Sequence, residues 1–161
     1  YSIQMRHIVL DTNCLLMSIP QHSPYRIVWN QFLLGKFVLC VSNEILEEYQ
    51  EILASKTTPS IASNVVSIML NAPNIRLVTP YYRFALITTD PDDNKFVDCA
   101  IASGADCLVT NDTHFKILTQ TPFPKVSTLS LQEFCKELRE YNCGESKSSS
   151  LNEPSIPYGQ E

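Results

Sequence analysis

Apolar positions along this chain fall into two rhythms. In the first, apolar residues follow one another without alternation. Such runs are "HIVL" ending at Asp11, "KFVLCVS" from Lys36, "NIRLVTP" cut by Pro80, "CLVT" from Cys107 and a weaker "VSTLS" from Val126. Short unbroken runs of this kind predict strands covered on both faces. In the second rhythm apolar residues recur every three or four positions, which predicts helices. These segments are "YRIVWNQFLLG", "SNEILEEYQEILAS", "SIASNVVSIMLN", "DDNKFVDCAIASG" and "LQEFCKELREY". Gly35 and Gly104 stand where glycine usually stops a helix. Ser42 or Asn43 is placed to cap the helix that follows the second strand.

Strands therefore alternate with helices. That order predicts an α/β fold, a three-layer α/β/α sandwich with a mostly parallel central sheet of four to five strands. Ligands of such sheets bind in the crevice at the carboxyl ends of the strands. Residues 5–142 form one expected domain. From Cys143 the chain turns polar and rich in Ser, Pro and Gly, so residues 143–161 read as a tail. That tail is expected to dock on its own domain or on a neighbouring chain.

Composition narrows the function classes. A chain of 161 residues suits one domain with one core. No apolar run approaches the roughly 18–20 residues of a membrane span, so no membrane role is expected. The formal net charge of −5 argues against a module held on nucleic acid by electrostatics alone. It leaves room for an enzyme acting on nucleic acid whose negative charge is concentrated in a metal site. The six cysteines form no CxxC pair and mostly sit in apolar runs, which predicts buried reduced thiols and a cytoplasmic location. Cys14, three residues past Asp11, is read the same way.

The candidate chemistry lies in the acids. Asp11 follows the first strand and Asp112 follows the fourth, so both fall at one edge of the sheet. Asp93 falls in the first turn of the helix leading into the fourth strand, within the crowded "DPDD". Glu44 and Glu48 are four apart and share a helix face. Each acid has a plain structural role open to it: Asp90, Asp92 and Asp93 as caps or turn residues, Asp112 as an N-cap, Glu48 as a solvated side chain. Asp11 fits such a role least, because it ends an apolar strand with a charge.

Together these acids make a stronger case. Two carboxylates about 4 Å apart repel by about 1 kcal/mol in water and about 4 kcal/mol at an effective dielectric of 20. A divalent cation relieves that repulsion, and all-oxygen ligands favour Mg²⁺ or Mn²⁺ over zinc. A bound ion can activate water for attack on a phosphodiester without any protein nucleophile. The sequence has no GxSxG, no GxxxxGK[ST] and no GxGxxG, and only four glycines. Its histidines, His7, His22 and His114, stand beside no second catalytic group in an obvious pattern.

Four segments resemble the PIN domain: "IVLDTNCLLMSI", "VSNEILEEYQEIL", "DPDDNKFVDCAIASGADCLVTNDTHF" and "FPKVSTLSLQEF". They are most similar to the VapC-like branch, the toxin components of bacterial toxin–antitoxin pairs. The resemblance runs from about Met5 to Phe134. Carried over by position, it implies Asp11, Glu48, Asp93 and Asp112 as the catalytic set, with Asp11, Asp93 and Asp112 on the metal. Glu44 rivals Glu48, and Asp92 is the neighbour of Asp93. Asn13 and Thr110 match polar positions that orient ligands or waters. Asp98, about 140° round the helix from Asp93, is left out as a surface residue, and Asp106 as a turn residue.

The resemblance implies a Mg²⁺- or Mn²⁺-dependent ribonuclease that cuts RNA. It also implies a homodimer or higher homo-oligomer and a small antitoxin protein that covers the site. Candidate RNA contacts are Arg6, Lys36, Lys95 and Lys116, with Tyr81, Tyr82 and Phe115 as stacking surfaces. The alternative is a catalytically inactive PIN-like scaffold that binds RNA or protein. An aspartyl-phosphate phosphatase ranks below both, because its second Asp is replaced here by Asn13.

Overall fold

The computed structural model describes residues 5–149, with side chains as far as residue 144. Five strands form one sheet: β1 (His7–Leu10), β2 (Val38–Val41), β3 (Ile75–Leu77), β4 (Cys107–Val109) and β5 (Thr128–Leu129). Their order is β3-β2-β1-β4-β5, and every pairing is parallel. The expected α/β class and parallel sheet are thus observed, with five strands. In β1 the run Ile8–Leu10 is buried without alternation, as is Cys107–Val109 in β4. Such strands need cover on both faces. The edge strand β3 is more open, with Arg76 and Leu77 exposed.

Six helices flank the sheet: α1 (Thr12–Ser18), α2 (Arg26–Leu33), α3 (Asn43–Lys56), α4 (Pro59–Asn71), α5 (Asn94–Ser103) and α6 (Leu131–Ser149). α5 packs across β1, β2 and β4, α3 packs on α4, and α2 packs on α6. The Ser42 side chain caps α3 by accepting the Ile45 N–H at 3.3 Å. Gly104 ends α5 at φ +64°, a left-handed conformation that costs glycine least.

The core is continuous through the layers. Phe37 meets Phe134 edge to face at 5.3 Å between centroids, and Trp29, Phe32 and Phe37 extend the ring contacts. Each fully buried side chain of this size contributes about 1.5–3 kcal/mol relative to exposure. Cys14, Cys40, Cys99, Cys107 and Cys135 lie inside this core as thiols, as expected from their apolar settings.

Two features differ from the expected elements. The helix α1 has no counterpart among the predicted segments. It is seven residues long, too short for a helical period to stand out in the sequence, and its N-cap, Asp11, makes no side-chain cap bond. At the other end, α6 runs on through Cys143 to Ser149, into the segment read as a tail. The rest of that segment, and its expected docking, lie outside the described residues.

Candidate metal centre

The strand order places a topological switch at β1. From β1 the chain steps outward through β2 to β3, then returns to β4 on the other side of β1. The carboxyl ends of β1 and β4 therefore open a crevice between diverging connections. Asp11 directly follows β1, and Thr110, Asn111 and Asp112 follow β4. The Asp11 backbone N–H donates to the Val109 carbonyl at 3.0 Å, which fixes the two strand ends together.

Thr110 links two of the acids. Its hydroxyl donates to Asp11 Oδ2 at 2.8 Å and accepts the Asp112 backbone N–H at 3.1 Å. Asp11 is only 6% exposed. Its carboxyl is pushed up from the ordinary value by burial, against the opposing Thr110 bond, with further upward pushes from Asp112 and Glu48. Asn111 turns the other way, and its Oδ1 accepts the Leu131 N–H at 2.9 Å at the start of α6.

Asp93 reaches the same crevice from another direction. It ends a 3₁₀ turn, Pro91–Asp93, and stands at the N-cap position of α5. The turn is held by Asp90, whose Oδ1 accepts the Asp92 N–H at 3.2 Å. The preceding segment is tied to α5 by Asn94, which accepts from Ile87 N at 2.9 Å and donates to Ile87 O at 2.8 Å. Burial pushes the Asp93 carboxyl up to about 6, His114 opposes this, and Asp90, Asp112 and Asp11 add to the rise. Asp11, Asp93 and Asp112 thus share one electrostatic neighbourhood.

Glu48 and Glu44 part company. The Thr12 hydroxyl donates to Glu48 Oε2, and Lys95 Nζ lies 2.8 Å from Glu48 Oε1. Glu48 also contributes to the field at Asp11. Glu44 instead forms an exposed two-pronged pair with Arg83, one contact at 3.3 Å, and this pair lowers its pKa. Asp92 is exposed and lies 3.1 Å from Lys95 Nζ. Asn13 is exposed at the start of α1.

Two expectations need correction. His114 does stand beside acidic groups: its Nδ1 is 3.2 Å from Asp93 Oδ2 and 3.3 Å from Asp112 Oδ1. A 3₁₀ segment, Thr113–Gln120, turns it back over the crevice, and Asp112 Oδ1 caps that segment through the His114 N–H at 2.9 Å. Asp98 is not a surface residue but is 2% exposed. The segment before Asp90 folds over it, and its Oδ1 accepts the Phe84 N–H at 3.2 Å while Oδ2 has no partner among the described residues.

The expected RNA contacts are dispersed. Arg6 pairs with Glu137 and lies 5.9 Å from the Phe134 ring centroid, at the amino end of β1 away from Asp11. Lys95 faces Glu48 and Asp92, and Phe115 is buried. Lys116, Tyr81 and Tyr82 are exposed. Cys14 is fully buried, and burial together with Asp11 pushes its thiol up to about 12.

Among the described residues, Asp90, Asp93 and His114 each offer a ligand atom within 4.8 Å of the other two, so they could hold a metal ion. The set suits a divalent cation on chemistry as well as distance: two carboxylates and an imidazole, with acids nearby whose charges oppose one another. It shares Asp93 with the Asp11, Asp93 and Asp112 set implied by resemblance. Asp90 and His114 are the members that sequence reasoning passed over.

No curated protein matches the sequence. Among solved structures, VapBC2 from Rickettsia felis, bound to a DNA fragment from its promoter, has a similar fold. The match is 20% identical with a TM-score of 0.55, covering 77% of this chain and 98% of that one. A DNA-bound VapBC from Salmonella typhimurium is 18% identical with a TM-score of 0.51, covering 79% of this chain and 99% of that one. At these identities the likeness establishes the fold. The PIN domain family matches the sequence itself over residues 7–114. Because that match runs from the first strand through the last acid of the crevice, this chain belongs to the PIN domain family.

Proposed function

We propose that this protein is a divalent-metal-dependent endoribonuclease that hydrolyses RNA phosphodiester bonds, and that it is the toxin component of a toxin–antitoxin pair. The observation that carries the reading is the gathering of Asp90, Asp93 and His114, whose ligand atoms lie within 4.8 Å of one another, in a crevice shared with Asp11 and Asp112. Asp93 is raised to about 6 by burial and by Asp90, Asp112 and Asp11. Carboxylates that oppose one another's ionisation at a sheet's binding edge are relieved by a cation.

Asp11, Asp93 and Asp112 hold the ion, with Asp90 and His114 as further donors. Mg²⁺ or Mn²⁺ suits a set dominated by carboxylates. Bound there, the cation supplies charge stabilisation at the phosphate and an activated water. The chain's own residues do the positioning. Thr110 fixes the Asp11 carboxylate, and Thr12 and Lys95 fix Glu48, which orients the attacking water. No protein nucleophile takes part.

The toxin role rests on the likeness to the VapBC structures. It entails an antitoxin protein that covers the crevice, a homodimer or higher homo-oligomer, and a cytoplasmic setting. Among the described residues no helix is long and apolar enough to cross a membrane. Asp11→Asn tests the chemistry, since the amide can still accept the Thr110 hydroxyl. RNA cleavage should vanish while far-UV circular dichroism is unchanged. Cleavage retained in that variant would overturn the metal mechanism, and no cleavage by folded wild type would favour the catalytically inactive scaffold.

A further inference from the structure

We propose that Lys95 is a built-in counter-cation of the crevice, and that it restricts the crevice to one divalent ion per chain. The proposal rests on the metal-dependent reading above and deepens it. Its ground is the position of one ammonium group. Lys95 Nζ lies 2.8 Å from Glu48 Oε1 and 3.1 Å from Asp92 Oδ1, and its side chain is only 11% exposed. An exposed lysine would spend much of its time in water. This one is enclosed between carboxylates from two elements, α3 and the turn before α5.

Glu48 is engaged at both oxygens. Oε2 receives the Thr12 hydroxyl and Oε1 receives Lys95. A divalent ion on Oε1 would share that oxygen with the ammonium and stand close beside it. Like charges so placed repel strongly in a partly desolvated site. A second ion at Glu48 therefore requires Lys95 to leave both of its carboxylate partners. The ion at Asp93 has no such competitor in this pair, because Lys95 meets Asp92 and Glu48 while Asp93 faces His114. The lysine divides the crevice into an ion-binding side and a side already neutralised. It acts as a positioning residue, setting the orientation of Glu48.

The test counts Mn²⁺ bound to the full 161-residue chain by equilibrium dialysis, with the free ion read by electron paramagnetic resonance. Wild type should bind one Mn²⁺ per chain. Lys95→Met should bind two, the second more weakly. Glu48→Gln should still bind one, with a Kd within about threefold of wild type. Asp93→Asn should lose the wild-type ion. Two ions on wild type, or one on a folded Lys95→Met, would overturn the proposal while leaving the metal site standing. Should Lys95→Met fail to fold, Glu48→Gln decides: a Kd weakened about tenfold or more would make Glu48 a ligand and overturn the proposal. No Mn²⁺ on wild type, or an ion that survives Asp93→Asn, would overturn the metal reading and the lysine's role with it.

Discussion

The Thr110 hydroxyl donates to Asp11 Oδ2 at 2.8 Å, joining the ends of two parallel strands that are 99 residues apart in sequence. Asp11 is nearly sealed from water, so this bond supplies much of what holds its carboxylate in register. Thr110→Val keeps the shape and removes the donor. It should cost about 1–3 kcal/mol of stability, a fall of roughly 2–10 °C in Tm for a chain of this size. Cleavage should drop about tenfold or more as Asp11 loses its orientation. Thr110→Ser should restore most of both. Thermal melts and single-turnover cleavage check the pair.

Glu44 and Glu48 differ in what they touch, so their amides should differ in effect. Glu44 spends its charge on Arg83 at the surface, and exposed pairs contribute about 0–1 kcal/mol. Glu44→Gln should leave cleavage within about twofold of wild type. Glu48→Gln should lower kcat by about 100-fold, the scale of losing the orientation of a reacting group. The kcat values of the two variants, measured side by side, decide which glutamate serves the crevice.

The acidity of Asp93 gives the metal-free protein a pH signature. Its folded pKa, about 6, lies above the ordinary 3.8, with burial as the main cause. The folded state therefore keeps a proton that the unfolded chain releases. The contribution of Asp93 to stability is greatest below roughly pH 4 and is lost as pH rises to roughly 6. In EDTA, Tm should fall across that window more steeply in wild type than in Asp93→Asn. Adding Mn²⁺ above pH 6 should raise Tm in wild type and much less in the variant, since a ligand stabilises the state that binds it.

Asp98 should matter for the fold rather than the chemistry. It is buried, holds the Phe84 N–H and leaves one oxygen without a partner among the described residues. Asp98→Asn keeps an acceptor and removes a charge whose burial raises its pKa. Its Tm at pH 7 should match or exceed that of wild type. Asp98→Ala should cost about 1–3 kcal/mol by leaving the Phe84 N–H unsatisfied. Denaturant melts of the two variants give the comparison.

What the sequence made legible was whatever depends on local pattern. Unbroken runs such as Ile8–Leu10 marked strands with both faces covered, and Gly104 marked a helix end. Asp11 and Asp112 could be placed at one edge because each lies just past the end of a strand of a parallel sheet. Contacts made by long side chains across elements left no such trace. Lys95 meets Glu48 from a different helix, and His114 meets Asp93 only because the turn after β4 folds back. Asp98 looked exposed by helical angle, since the angle carries no record of the segment around Phe84 that covers it. The α1 helix, seven residues long and without a side-chain cap, offered too little periodicity to separate from the strand before it.

The central claim is that the acids gathered at the carboxyl edge cut RNA with a divalent ion. The most direct measurement is cleavage of a mixed RNA pool in Mn²⁺, Mg²⁺ or EDTA by wild type and by Asp93→Asn. The account predicts cutting with either metal, none in EDTA, and none by the variant. Cutting that persists in EDTA or in Asp93→Asn, or no cutting by folded wild type with either metal, would contradict it.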